Sequence, residues 1–178
     1  MYLPGHLGLG LLAGAVLAVR YRGGRGTVAA SAPVVLATAP DIDIYLAGIP
    51  HRGVTHTAWA ALGLGAALAV VAGLWTRRRG TERTATVTLA FVAGVVAGLT
   101  HLLGDVVTPM GISPFHPVVS TTYSLNLVAA RNPDVNLALL CGGGLAVGGL
   151  LVCRRDRVAP GIRARLDTRQ AIDGDRPA

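Results

Sequence analysis

Five apolar blocks, separated by arginine clusters and Pro/Gly-rich connections, restrict what this chain can fold into more than any other feature. They cover about Tyr2–Val19, Thr27–Ala39, Val54–Trp75, Ala85–Leu103 and Val135–Val152. The last three hold 22, 19 and 18 residues, and about 20 apolar residues cross a bilayer as a helix. Inside hydrocarbon a backbone must satisfy its own N–H and C=O groups, which a helix does. The expected fold class is therefore an all-α membrane protein, a polytopic bundle of about five transmembrane helices. The second is marginal. It is short even if extended through Ile44–Ile49, and Pro33 and Pro40 make it irregular. Composition agrees: 14% of residues are charged, where a soluble domain carries about 25%. Abundant glycine with few aromatics favours helices packed through small residues.

The net charge of +7 comes wholly from arginine, since the chain has no lysine. Arg20, Arg22 and Arg25 lie between blocks one and two; Arg77, Arg78, Arg79 and Arg83 between three and four; Arg154, Arg155 and Arg157 after block five. The other two connections carry only Arg52 and Arg131. The positive-inside rule puts the arginine-rich loops in the cytoplasm, the N-terminus outside and the C-terminus inside, in a cell membrane. Residues 1–158 form the transmembrane domain with an outward-facing polar site, and 159–178 a flexible cytoplasmic tail. The first block lacks a basic residue before it, so no cleavable signal peptide is expected. Cys141 and Cys153 fall roughly 18 Å apart on one helix, too far for an intramolecular disulfide.

The ionisable residues gather at block ends on the outer side. His6 opens block one. Asp41 and Asp43 follow block two, His51 and His56 open block three, and His101 and Asp105 close block four. His116 lies in the outer connection Thr108–Asn132. Such groups are costly at membrane depth, and imidazoles with carboxylates are ligands for divalent metals. Each element has a plainer reading when taken alone. His101 and Asp105, at i and i+4, can be a hydrogen-bonded pair that closes a helix. Asp41-x-Asp43 can be a turn and cap. Together they favour a metal site. Small residues in phase with the histidines suggest that each stripe faces the bundle interior: His6/Gly10/Ala13, His56/Ala60/Gly63/Ala67 and Gly94/Gly98/His101/Asp105. Asn132-Pro133-Asp134 reads as a helix start. The chain contains no nucleotide-phosphate loop, nucleophile elbow, zinc-finger cysteine spacing or basic nucleic-acid stripe. Membrane lipids are the expected partners, and nucleic acid is not.

Pro40-Asp41-x-Asp43, His51-Arg52-Gly53-x-Thr55-His56-Thr57 and His101-x-x-Gly104-Asp105-x-x-Thr108-Pro109-x-Gly111 resemble the YdjM-like family. That family is described as membrane-bound, metal-dependent hydrolases and as LexA-binding inner-membrane proteins. The resemblance covers about residues 1–140 in order, and Thr57 stands where serine is usual. It implies a hydrolytic metal site on Asp41, Asp43, His51, His56, His101 and Asp105, with His6 in addition. LexA is cytoplasmic, so such a contact would fall to the cytoplasmic loops or tail.

The leading functional expectation is an integral membrane, metal-dependent hydrolase. It would use one or two Zn²⁺ ions, with Mn²⁺ or Fe²⁺ as alternatives, and Asp43 or Asp105 as general base. Arg52 and His116 are candidate substrate contacts. An amphiphilic ester or phosphoester at the outer interface would be the substrate. The alternative is a non-enzymatic metal-binding regulator, sensor or scaffold.

Overall fold

The computed structural model describes the backbone of residues 1–21, 23–79 and 83–174; side chains at 23–25, 27–28, 79 and 154–174 lie outside the description. Its regular elements are five α-helices: α1 (Leu3–Arg20), α2 (Gly23–Leu36), α3 (Ala58–Arg79), α4 (Arg83–Val106) and α5 (Pro133–Gly174). Two 3₁₀ turns, Ala39–Tyr45 and Val54–His56, fill the connection from α2 to α3. Among the described residues there is no strand, only one isolated bridge between Ile112 and Tyr123.

Among the described residues, four helices are long and apolar enough to cross a membrane: Leu3–Arg20, Ala58–Arg78, Arg83–Val106 and Pro133–Cys153. The fifth, α2, has 14 residues and rises about 21 Å, short of a ~30 Å hydrocarbon core. It is the marginal second block of the sequence. The start of α5 is built as its sequence suggests: Asn132 Oδ1 accepts the Val135 N–H at 3.1 Å, and Pro133 opens the helix. The backbone of α5 stays helical to Gly174. The tail expected at 159–178 falls on residues whose side chains lie outside the description.

Helix α4 is the axis of the bundle. It packs against α3, α2 and α1, and α1 in turn carries α5. Close approach requires glycine at the α3–α4 contact: a Cβ on Gly94 would sit 2.7 Å from Gly65 Cα, and one on Gly98 2.6 Å from Ala61 Cβ. Cys141 and Cys153 are free and exposed on α5.

The inward stripe of α3 differs from the expected one. Gly63 and Ala67 are exposed, while Ala61, Gly65, Gly73 and Thr76 are buried. The reason is a break in phase. Thr57 is extended (φ −118°, ψ 159°) between the 3₁₀ turn holding His56 and the first residue of α3. His56 therefore does not share the helix's rotation, and extrapolating a 3.6-residue period from it selects the wrong face. On α4 the expected stripe is buried as read, and on α1 His6 and Gly10 are buried with Ala13 half-buried, because His6 and His101 lie within their helices.

Candidate metal centre

The polar end of the bundle is assembled from chain irregularities. Pro40 in the first 3₁₀ turn redirects the chain after α2 and sets Asp41 beside the helix ends. The second turn delivers His56. His101 and Asp105 lie on the last turns of α4, and His6 on the first turns of α1. Asp41, His56, His101 and Asp105 each offer one ligand atom, all within 4.8 Å of one another. His56 Nε2 stands 3.0 Å from His101 Nε2 and 3.3 Å from both Asp41 Oδ1 and Asp105 Oδ2. His101 Nε2 is 3.5 Å from Asp41 Oδ1 and 3.3 Å from Asp105 Oδ2. His56, His101 and Asp105 are buried, and only the Asp41 side chain, 23% exposed, opens outward.

Hydrogen-bond partners assign the tautomers. His101 Nδ1 lies 2.6 Å from the Ala37 carbonyl, which can only accept, so Nδ1 carries the proton. The Thr55 hydroxyl donates to Asp43 Oδ2 at 2.7 Å, which turns its lone pair to His56 Nδ1 at 2.9 Å. Asp43 Oδ2 itself lies 3.2 Å from that nitrogen. His56 Nδ1 is thus a donor as well. Both Nε2 atoms are then lone pairs pointing at each other, between two carboxylate oxygens. Asp105 Oδ2 is buried with no hydrogen-bond partner among the described residues. Four electron-rich atoms facing one point favour a cation between them, a proton on His56 or a metal ion. Imidazoles held through Nδ1–H by a carbonyl and a carboxylate are the usual support of metal-bound histidine. Two imidazoles and two carboxylates fit Zn²⁺, Mn²⁺ or Fe²⁺.

A second group, Asp43, His51 and His56, also has ligand-like spacing. Its carboxylate is already supplied with donors. Asp43 Oδ1 pairs with His51 Nδ1 at 2.9 Å, and Oδ2 accepts from the Arg52 N–H at 3.1 Å and from Thr55. These bonds hold the Asp43 carboxyl below the usual carboxylate range although burial works to raise it. Asp41 is lowered too: burial raises it, and its hydrogen bond with His56 and the charge of His101 outweigh that. His56 is raised above its ordinary value, because the Asp105 and Asp41 carboxylates outweigh a burial effect that lowers it.

Asp105 is neutralised from behind. Its Oδ1 pairs with the Met1 amino group and, at 2.7 Å, with Arg52 Nη2. Arg52 Nη1 also donates to Thr108 Oγ1 at 3.0 Å and to the Gly111 carbonyl at 3.1 Å. Arg52 takes a left-handed backbone, φ 62°, to do this. His6 stacks on His101, centroids 3.9 Å apart and planes 11° apart, with Nε2 3.5 Å from Asp105 Oδ1. Neither ring nitrogen of His6 has a hydrogen-bond partner among the described residues. Glycine at 104 makes room for the ring: a Cβ there would lie 2.9 Å from His6 Nδ1.

Of the residues expected from sequence, the fold brings His6, Asp41, Asp43, His51, Arg52, His56, His101 and Asp105 into one constellation. His116 stays in the loop between α4 and α5, half-buried, and no hydrogen bond or ion pair links it to the cluster. Thr55 and Thr108, which stand in the family-like motifs, and the Met1 amino group join them as supporting partners. Thr55 lies inside the His51–His56 element, a usable signal; nothing in the sequence marks Met1.

Fold and site together define a polytopic helical membrane protein with a buried histidine–aspartate cluster at one end of its bundle. Residues 1–160 match the model of the YdjM inner membrane protein family, and the chain belongs to that family. No curated protein and no solved structure matches it.

Proposed function

We propose that this protein is an integral membrane, metal-dependent hydrolase. The observation that carries the reading is the pair of His56 and His101 Nε2 lone pairs, 3.0 Å apart between two carboxylates. His56, His101, Asp41 and Asp105 hold the ion, Zn²⁺ first and Mn²⁺ or Fe²⁺ as alternatives. When bound, it supplies Lewis acidity that acidifies water and polarises an ester or phosphoester. The protein residues do the rest. Asp43 fixes the His56 ring through Nδ1, and Ala37 fixes His101. Arg52 and the Met1 amine hold the Asp105 charge in place. Asp43 and Asp105, the sequence-based candidates for general base, are both occupied by these partners. Asp41, the one carboxylate of the four-residue cluster open to the outside, is the better placed proton acceptor. The substrate in this reading is an amphiphilic ester or phosphoester at the outer face of the cell membrane, with lipids rather than nucleic acid as partners.

The orientation belongs to the same proposal: N-terminus outside, C-terminus cytoplasmic, because the arginine clusters lie at the far end of the bundle from the cluster. Labelling of a Thr121→Cys variant from outside intact cells checks it; labelling only from the cytoplasm overturns it. For the centre, metal analysis of the purified protein should find bound transition metal in wild type and loss of it in a His56→Ala/His101→Ala variant. Metal-dependent turnover on an ester and phosphoester panel should follow.

One observation favours the second reading, a non-enzymatic metal-binding regulator, sensor or scaffold. Three of the four candidate ligands are buried, as in closed structural sites. A protein that binds metal but turns over nothing on that panel would decide for it.

A further inference from the structure

A cavity of about 790 Å³ opens beside the cluster. Its size is that of a small-molecule site. Asp41, Arg52 and His51 line it on the side of the centre, and Arg131 stands on its wall. Apart from Thr38, the rest of the wall is apolar or aromatic and includes Tyr2, Leu3, Ile42, Ile44, Tyr45 and Met110. All six of these are exposed, Ile44 by 61% and Tyr45 by 85%. In a chain that spans the bilayer, an apolar rim at the end of a bundle meets acyl chains, and tyrosines sit at the headgroup level.

Charge separates this cavity from a plain lipid contact. The Arg131 guanidinium lies 5.6 Å from the Tyr2 ring centroid and makes no ion pair with a carboxylate among the described residues. Arg52, 8% exposed, keeps an Nε donor with no partner. Two guanidinium groups, one of them uncommitted, therefore stand in a cavity that runs from the metal cluster to the apolar rim. The ligand that complements all three is an anionic phosphoester carrying hydrocarbon.

We propose that this cavity is a binding site for an anionic phospholipid, with its phosphate on Arg131 and its acyl chains along the exposed rim. The inference deepens the hydrolase reading by naming a substrate class, and it rests on that reading only for turnover. Binding itself needs no metal. Arg131 acts here as a specificity residue: it selects lipids by charge.

The test uses the full-length protein, chelator-treated so that a failure of the metal reading leaves the result interpretable. In phosphatidylcholine nanodiscs containing a minor share of phosphatidylglycerol, native mass spectrometry reads which lipid the protein retains. Wild type should retain phosphatidylglycerol preferentially. Arg131→Gln should lose that preference by about five- to tenfold, Arg131→Lys should keep most of it, and Ile44→Asn should weaken retention of both lipids. Arg77→Gln, the same charge change at the far end of the bundle, should leave it unchanged. An Arg131→Gln protein that selects phosphatidylglycerol as wild type does overturns the proposal. So does inorganic phosphate displacing the lipid as well as added phosphatidylglycerol does, since the site would then read the anion alone.

Discussion

The middle of α4 and its C-terminal end solve opposite problems with the same helix. At the level of Gly94 and Gly98 the helix meets α3 with no polar group between them, and contact depends on the absence of side chains. One to two turns after Gly98, at His101 and Asp105, it meets α1 and both 3₁₀ turns through ion pairs and hydrogen bonds, and contact depends on complementary charge. The first kind of contact tolerates no added volume. The second tolerates added volume poorly and lost charge not at all. A bundle with both can tune its centre through hydrogen bonds while shape holds the frame.

The sharpest way to break that contrast is Asp105→Ala. It removes a candidate ligand and strands Arg52 and the Met1 amine in a buried place. We expect a loss of about 3–5 kcal/mol in stability and metal content at background, read by thermal unfolding in detergent and by metal mass spectrometry. Gly98→Val attacks the middle of the helix. The added carbons run into the Ala61 backbone, 2.7 Å from where the Cβ would stand, and should cost about 1–3 kcal/mol. The protein that still folds should bind metal at wild-type stoichiometry. If it does not, the two regions are not separable.

Asp43→Asn sharpens the comparison within the polar end. It keeps the volume and disturbs only the support of His56, so metal affinity should fall about 10- to 100-fold with little change in unfolding temperature. A change in stoichiometry instead would make Asp43 a ligand.

Acidity should act next. The His56 pKa is raised in the metal-free protein, so an entering ion must displace a proton below that value. Metal affinity should hold at high pH and fall as pH drops through a midpoint above about 6.5. The metal-free protein should show the reverse for stability: the His56 contribution is present below the unfolded pKa and is lost as pH rises through the raised one. Titrations of binding and of unfolding on the same sample read both. The smallest effect belongs to Gly63→Ala. No atom would lie within 4 Å of the new Cβ, and stability should shift by less than about 0.5 kcal/mol.

Much of this was legible in the sequence. Block length marked the four spanning helices, and the placement of charge at block ends marked the cluster. Both depend on the cost of polar groups in hydrocarbon, which composition records directly. The face of α3 was not legible, because one extended residue, Thr57, resets the rotation between His56 and the helix. Nor was the division of labour among the aspartates. Asp41 and Asp43 are two positions apart in one motif, yet one faces the cluster and the other faces four donors. That difference is made by the turn geometry around Arg52 and Thr55, which spacing alone does not encode. Arg131 was visible only as a lone charge until the fold put it beside Tyr2.

The pairing of Met1 with Asp105 joins residues 104 positions apart in the chain. His6 and His101 meet across nearly the same interval. During synthesis the amino-terminal helix must therefore wait in the membrane, its imidazole without the His101 ring it stacks on, until α4 has been inserted. The centre would then also serve as a completion check: a nascent protein without α4 leaves His6 without the ring it stacks on and the Met1 amine without Asp105, and a finished one does not. Pulse-labelled chains truncated after α3 should accordingly be cleared faster than full-length ones, and a His6→Leu change should slow that clearance.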